Sequence, residues 1–219
     1  MPSISDLVNT FLLVYAGLFP IVNPIGVAPI FLGLTRQCTG RECGGLSRRV
    51  ALNCFFLLLG SLLIGSYVLE FFGITLPIVR VAGGLVVTAT GWNLLQQGAG
   101  ANDGRGAGHG PVPATDSFYP LTMPITVGPG SIAVAITLGS QRPRGIPLIR
   151  VAMLGGAAIA GLVAIAATIF VCFRFADNLV RVFGEHGTNV MVRLSAFILL
   201  CIGIEIIFNG YTALTHVGG

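Results

Sequence analysis

The chain has 219 residues, of which 54% are hydrophobic and only 9% are charged, and its mean hydropathy is +0.88. Soluble domains carry about a quarter charged residues, so this composition excludes an ordinary water-soluble domain and predicts a polytopic α-helical membrane protein. The net charge of +4 comes from arginines in short polar stretches rather than from a basic stripe interleaved with aromatics, which argues against nucleic acid as a partner.

Six apolar segments are predicted in chain order, separated by polar stretches. They cover approximately residues 7–35, 50–72, 80–96, 118–140, 151–173 and 193–214. Each is close to or above the ~20 residues that a helix needs to cross a bilayer core. Residues 98–116 are rich in Gly, Ala and Pro, which predicts a flexible linker without a core of its own.

Prolines interrupt the first segment. Pro20, Pro24 and Pro29 all fall inside it, and each would cost a continuous helix ~3 kcal/mol. Asn23 is a favourable N-cap residue and Pro24 suits the first position of a helix, so we expect a second half-helix to begin there. Gly26 keeps the space above this new N-terminus free of side-chain atoms.

The fourth segment repeats this chemistry. Gly128 occupies a capping position, Pro129 the first helical position and Gly130 the position after it. A single Pro-Gly kink in a membrane helix is more often a packing device than a binding site. Two kinks at matched positions of the two halves, each with capping chemistry, favour a functional interruption.

The two halves also resemble each other beyond the kinks. Phe72-Gly73 precedes Arg80 in the first half as Phe183-Gly184 precedes Arg193 in the second half. With three spans in each copy, the second copy must lie upside down relative to the first.

We therefore expect an all-α membrane protein of six transmembrane helices, with helices 1 and 4 discontinuous. The helices form two inverted three-helix repeats, residues 1–97 and 117–219, joined by the linker 98–116 into one membrane domain. Inverted repeats with broken helices are a recurring transporter architecture.

The distribution of arginines predicts the orientation. Eight of the twelve lie in the stretches after segments one, three and five, and four lie on the opposite face. The first set consists of Arg36, Arg41, Arg48, Arg49, Arg105, Arg174, Arg181 and Arg193. The positive-inside rule places that face in the cytoplasm and both termini on the periplasmic side. The N-terminus has no basic n-region, so we expect no signal peptide.

The ends of an interrupted helix can hold a small dipolar solute. The half that begins offers free N–H groups, and the half that ends offers free carbonyls. No Asp, Glu, Arg or Lys lies in residues 11–34 or 121–140, so we expect a small, neutral, zwitterionic ligand beside membrane lipid. The predicted binding residues are Asn23, Pro24, Gly26, Thr126, Gly128, Pro129, Gly130 and Ser131.

Patterns typical of catalysis or metal binding do not occur in the sequence. There is no H-E-x-x-H or G-x-S-x-G motif, and Cys38 and Cys43 have no second ligand pair nearby. We expect no enzymatic activity, no metal and no cofactor, with the cysteines as free thiols.

The interrupted segments also carry a family resemblance. The run from Asn23 to Leu32 resembles the first signature of the MarC family of bacterial inner-membrane proteins, and Pro120–Pro124 with Gly128–Ile132 resembles the second. Arg80–Gly84 and Gly203–Gly210 are similar to further landmarks of the family. The family includes SnatA-type transporters of small neutral amino acids and belongs to a LysE-like superfamily of exporters. The resemblance implies a bacterial inner-membrane location and amino-acid transport, with efflux as its direction.

Three charged residues are candidates for coupling or gating. Glu205 departs from the family pattern, which has Gln there, and a carboxyl within a span is by default a functional hypothesis. Coupling to protons through Glu205, a local hydrogen-bonding role and a snorkelling position all remain open. Arg80 and Arg193 could gate by pairing with carboxylates or serve as headgroup anchors.

The leading prediction is a secondary transporter that exports small neutral amino acids such as glycine or alanine, with alternating access around the broken helices 1 and 4. One alternative is a non-transporting membrane protein linked to stress or antibiotic resistance. The other is an exporter of a different small solute. The sequence leaves the oligomeric state open.

Overall fold

The computed structural model describes residues 3–35, 38–97, 116–140 and 148–217, and these ranges contain helices but no β-strand. The helices in chain order are α1 (Ile4–Val22), α2 (Pro24–Leu34), α3 (Gly40–Phe71), α4 (Leu76–Gln97), α5 (Pro129–Ser140), α6 (Leu148–Arg174) and α7 (Ala176–Val217). An irregular helical segment, Ser117–Thr126, lies before α5 and is called segment 117–126 below.

The described helices include five that are apolar and long enough to cross a membrane. They are α1, α3, α4, α6 and the part of α7 from His186 to Thr215. Segment 117–126 and α5 together make a sixth candidate span, bent by 72° at the break between them. The prediction of an all-helical, multi-pass membrane protein is therefore confirmed. The arrangement as inverted repeats with discontinuous helices 1 and 4 stays a prediction.

Two predicted polar loops are helical in the structure. Helix α3 begins at Gly40 instead of near residue 50, because the Glu42 carboxylate accepts hydrogen bonds of 2.8 Å from both the backbone N–H and the hydroxyl of Thr39. Helix α7 begins at Ala176 instead of near Arg193, and its first turns carry an i,i+4 ion pair of 2.9 Å from Arg181 to Asp177. Both signals were present in the sequence and were missed there.

Gly184 divides α7 into a short first part, which carries Asp177 and Arg181, and an apolar span. Gly184 has φ 64° and ψ 179°, a backbone conformation that favours glycine. Gly73, which precedes α4, has a positive φ of 68°. The two Phe-Gly dipeptides noted in the sequence therefore both place glycine at a positive φ, each before an apolar helix.

Helices α4 and α7 pack along a seam of glycines. A Cβ atom added to Gly91 would lie 2.7 Å from the backbone N of Leu200, and one added to Gly210 would lie 2.9 Å from the backbone N of Val81. Residues with rising numbers on α4 meet falling numbers on α7, so the helices are antiparallel. Small residues allow such close backbone approach, which is how helices associate strongly in lipid.

Helix α1 packs against α6 in the parallel direction. The Arg150 guanidinium lies 3.3 Å from the Asp6 carboxylate near the start of both helices. Further along, the hydroxyls of Tyr15 and Thr168 are 3.3 Å apart. The buried apolar residues of α1, α2, α3, segment 117–126, α5 and α6 form one contiguous core.

The predicted linker 98–116 lies outside the described residues except at its last position. There the Asp116 carboxylate accepts a 2.9 Å hydrogen bond from the backbone N–H of Phe118 and caps segment 117–126. The division of the chain at this linker into two repeats stays a prediction.

Candidate functional site

The first interruption is a single residue, Asn23, between α1 and α2. Its backbone is left-handed (φ 47°, ψ 55°), a conformation that asparagine tolerates better than most residues. Its N–H donates to the Phe19 carbonyl at 2.9 Å and ends α1, while its side-chain oxygen accepts from the Gly26 N–H at 3.2 Å and begins α2. Helix α2 begins at Pro24, as the sequence predicts.

The amides at the start of α2 have partners within the chain. The Gly26 N–H is bonded to the Asn23 side chain, and the Val27 N–H donates to the Asn23 carbonyl at 3.0 Å. A Cβ atom added to Gly26 would collide with the Asn23 side chain. The space above this helix end is therefore occupied by Asn23 itself.

The second interruption lies between segment 117–126 and α5. Helix α5 begins at Pro129, as predicted, and the Gly128 carbonyl accepts hydrogen bonds from the Ser131 hydroxyl at 2.9 Å and the Ile132 N–H at 3.2 Å. In the preceding segment the Thr126 hydroxyl donates to the Leu121 carbonyl at 2.7 Å. That hydroxyl is therefore engaged by its own backbone.

The two interruptions share one hydrophobic core. Val22 and Val27 on either side of the first, and Leu121 and Val127 before the second, all belong to it. Gly130 is buried against α4, because a Cβ atom there would collide with the Val87 side chain. Close approach of α5 to α4 is thus the structural role of Gly130 in this conformation.

A cavity of about 530 Å³ lies between α1, α4, α5 and α7, within the range typical of small-molecule sites. Helix α1 contributes Ala16, Gly17, Pro20 and Ile21; α5 contributes Val134, Thr137 and Leu138; α7 contributes Ile202, Ile206 and Asn209; α4 contributes Arg80. The lining residues on α1 end two positions before Asn23, so the cavity reaches the last turn of α1.

Two polar atoms at this cavity lack partners within the described part of the chain. The Nε of Arg80 and the hydroxyl oxygen of Thr137 are both buried without a hydrogen bond. The Asn209 amide donates to the Glu205 carboxylate at 3.3 Å, which links Glu205 to the cavity rim through α7. Arg80 is the one charged residue among the described lining residues.

The structure places the predicted residues in different surroundings. Of the eight predicted binding residues, Gly128 is half-buried, Pro129 is exposed, and the other six are buried around the two interruptions. Among the coupling candidates, Arg80 lines the cavity, Glu205 is exposed one turn from Asn209, and Arg193 is exposed on α7. Their roles in binding and coupling stay predictions.

Sequence reasoning missed Thr137 and Pro20 as cavity residues. The signal for Pro20 was available, because a proline at position 20 leaves the Ala16 carbonyl without the N–H four residues later, and Pro24 does the same to Pro20. Thr137 carried no such signal, since the other residues that line the cavity come from distant parts of the chain.

The cysteines are free thiols. Cys38, between α2 and α3, has its pKa raised above the ordinary range, first by burial and then by the neighbouring Cys43. In the described residues no group of three or more His, Cys, Asp or Glu side chains could hold a metal ion.

Comparison with known proteins agrees with this helical membrane architecture. The model of the MarC family of integral membrane proteins matches residues 8–215. The inner membrane protein MarC of Salmonella typhimurium is 30% identical over 199 residues, covering 88% of this chain and 90% of the relative. The MarC protein of Escherichia coli O157:H7 is 32% identical over 200 residues with the same coverage. No solved structure matches the chain. The chain belongs to the MarC family of integral membrane proteins.

Proposed function

We propose that the protein is a secondary transporter in the bacterial inner membrane that exports small neutral amino acids such as glycine or alanine. It has no enzymatic activity and needs no cofactor. The single observation that carries this proposal is the cavity of about 530 Å³ among the spans, which extends to the last turn of an interrupted helix.

The composition of the cavity supports a small zwitterionic solute. Its walls are mostly aliphatic side chains from α1, α5 and α7, which leave room for a short side chain. Polar groups are few and come from α4, α5 and α7. Small-molecule sites in general have mostly apolar walls and a few polar groups that point into the same space.

The two interruptions supply the moving parts in this proposal. Helix α1 can pivot at Asn23, the one non-glycine residue with a left-handed backbone among the described residues. Helix α5 can pivot at the 72° bend after segment 117–126. Because the cavity wall includes both α1 and α5, a rocking motion at these two points would close it on one face and open it on the other.

The orientation predicted from the arginines gives this motion a direction. Arg80 lies in the first turns of α4, and Asn209 lies in the last turns of α7. Both ends belong to the predicted periplasmic face, so in this proposal the cavity lies nearer the periplasm, where an exported amino acid would be released.

Counterflow in proteoliposomes tests the proposal. Vesicles loaded with unlabelled alanine and containing the protein should accumulate labelled alanine transiently, whereas vesicles without the protein should not. A matched pair of variants locates the path: Val134→Trp fills the cavity from α5, and Val163→Trp adds the same ring at an exposed position of α6. We expect the first to stop exchange and the second to retain it.

Failure of exchange for glycine, alanine and the other small neutral amino acids would contradict the proposal and favour a non-transporting membrane protein. Exchange that is equally fast in Val134→Trp and wild type would show that the solute passes elsewhere.

A further inference from the structure

We propose that Arg80 and Thr137 form a carboxylate-binding corner of the cavity between α1, α4, α5 and α7, and that the opposite wall on α1 accepts the ammonium group. The assignment rests on the proposed function and specifies its binding mode. It assigns ligand binding to the side chains of Arg80 and Thr137 instead of to the bare helix ends at Gly26 and Gly130. Nothing in the sequence indicated that these two side chains act together.

Arg80 needs an anion that the described chain does not provide. Its Nε is buried without a hydrogen bond, and no carboxylate of the described residues lies within ion-pair distance. Arg80 as a whole is half-buried, but a buried guanidinium N–H without a partner is costly, and a carboxylate can accept two parallel N–H bonds from Nε and a terminal nitrogen. By contrast, Arg150 and Arg181 have carboxylate partners, and Arg193 is exposed.

The Thr137 hydroxyl has no hydrogen-bond partner in the described chain, which distinguishes it from the hydroxyls of other threonines in the helices. In the described part of the chain, six helical threonines and Thr35 at the end of α2 donate their hydroxyl to the carbonyl four residues before them. These are Thr10, Thr35, Thr88, Thr90, Thr168, Thr188 and Thr212. The Thr137 hydroxyl does not make this bond and is buried at the cavity wall, where it can donate to a carboxylate oxygen.

The wall on α1 presents acceptors instead of donors. Ala16 and Pro20 lie one turn apart and both line the cavity. Neither carbonyl has a partner N–H four residues later, because residues 20 and 24 are prolines. Asn209 uses its amide nitrogen on Glu205, which leaves its amide oxygen as a further acceptor. An ammonium group can use these oxygens while the carboxylate pairs with Arg80.

A lipid phosphate shares the oxyanion chemistry of a carboxylate, so the experiment separates the two sources. Purified protein is held in a maltoside detergent, which carries no phosphate, with or without added phosphatidylglycerol. Its melting temperature is measured with L-alanine, with L-alaninamide, which lacks the carboxylate, and with propionate against chloride of equal ionic strength. We expect stabilisation by alanine and by propionate but not by alaninamide. Stabilisation that depends only on added anionic lipid would assign Arg80 to headgroups and overturn the proposal.

The variants give the second readout. Arg80→Gln should weaken alanine binding between about tenfold and a hundredfold, the range for losing a hydrogen bond to a charged group. Thr137→Val should weaken it about tenfold. Two controls carry matched changes away from the cavity: Arg181→Gln removes a surface arginine, and Thr90→Val removes a hydroxyl bonded to its own backbone on exposed α4 surface.

The outcomes are distinguishable from failure of the proposed function. If wild type exchanges alanine and Arg80→Gln and Thr137→Val bind alanine and propionate as wild type does, the carboxylate corner is wrong while transport stands. If wild type exchanges no amino acid but propionate still stabilises it in an Arg80-dependent manner, the oxyanion site stands and the transport proposal fails. Arg80→Lys keeps the charge but loses the bidentate geometry, so it should bind alanine with intermediate affinity. This variant also serves as a control for a folding defect in Arg80→Gln.

Discussion

The glycine seam between α4 and α7 should be intolerant of a single methyl group. In Gly91→Ala the new Cβ would lie 2.7 Å from the Leu200 backbone N, 2.9 Å from the Ala196 carbonyl oxygen and 3.0 Å from the Leu200 Cα. All three atoms belong to the backbone of α7, so no side-chain rotation can make room. The two helices must move apart by several tenths of an ångström, and the cavity walls that carry Arg80 and Asn209 move with them.

The expected loss of stability in Gly91→Ala follows from comparison with Gly156→Ala, in which the new methyl group contacts no neighbouring atom. Gly156 is exposed on α6, and a Cβ atom there has no neighbour within 4 Å. Both substitutions gain the same ~1 kcal/mol of helix propensity, so their difference isolates the packing cost. Overpacking of this kind costs about 1–3 kcal/mol. For a chain of this size, 1 kcal/mol shifts the melting temperature by about 2–4 °C.

Thermal unfolding of the purified protein in detergent measures this difference. Gly91→Ala should melt about 2–12 °C below Gly156→Ala, with both compared in the same detergent and at the same protein concentration. Equal melting temperatures for the two variants would refute the close backbone packing of α4 on α7, and with it the fixed placement of Arg80 beside Asn209.

Two further predictions concern single residues at the interruption and at the cavity rim. Asn23→Ala loses the side-chain cap on the Gly26 N–H and places alanine at φ 47°, so unfolding in detergent should show a loss of about 1–2 kcal/mol. Asn23→Gly, which keeps the backbone freedom, should lose less, and an equal loss in both variants would contradict the role of the left-handed backbone. If Glu205 carries the coupling proton, Glu205→Gln should leave alanine counterflow unchanged and abolish accumulation driven by a pH gradient. Retention of gradient-driven accumulation would assign Glu205 to its local hydrogen bond with Asn209.

The starts of the helices that follow the two interruptions could be predicted from the sequence because their causes are local. Asn23 before Pro24, and Gly128 before Pro129, combine a cap with a residue that cannot donate a backbone hydrogen bond, and the helices begin where this chemistry places them. The early start of α3 was equally local, in the spacing of Thr39 and Glu42, yet the polar composition of that stretch suggested a loop.

The residues that line the cavity could not be predicted in the same way. Arg80, Thr137 and Asn209 lie on three different helices, and their proximity depends on how α4, α5 and α7 pack. A glycine pattern predicts close packing but does not identify the packing partner. Gly130 was predicted as a binding residue, whereas in this conformation the space beside it holds the Val87 side chain. The unpaired state of a side chain is likewise a property of the folded chain and not of the sequence.

The central claim is that a small amino acid enters the cavity between α1, α4, α5 and α7, and substrate protection tests it most directly. The thiol introduced by Ile206→Cys, in a variant whose five native cysteines are replaced by alanine, is labelled with a membrane-impermeant methanethiosulfonate in transport-active proteoliposomes. The same measurement on Val163→Cys, at the exposed surface of α6, provides the control. We predict that alanine slows labelling at position 206 and not at position 163. An unchanged labelling rate at position 206, at alanine concentrations that drive counterflow, would contradict the account.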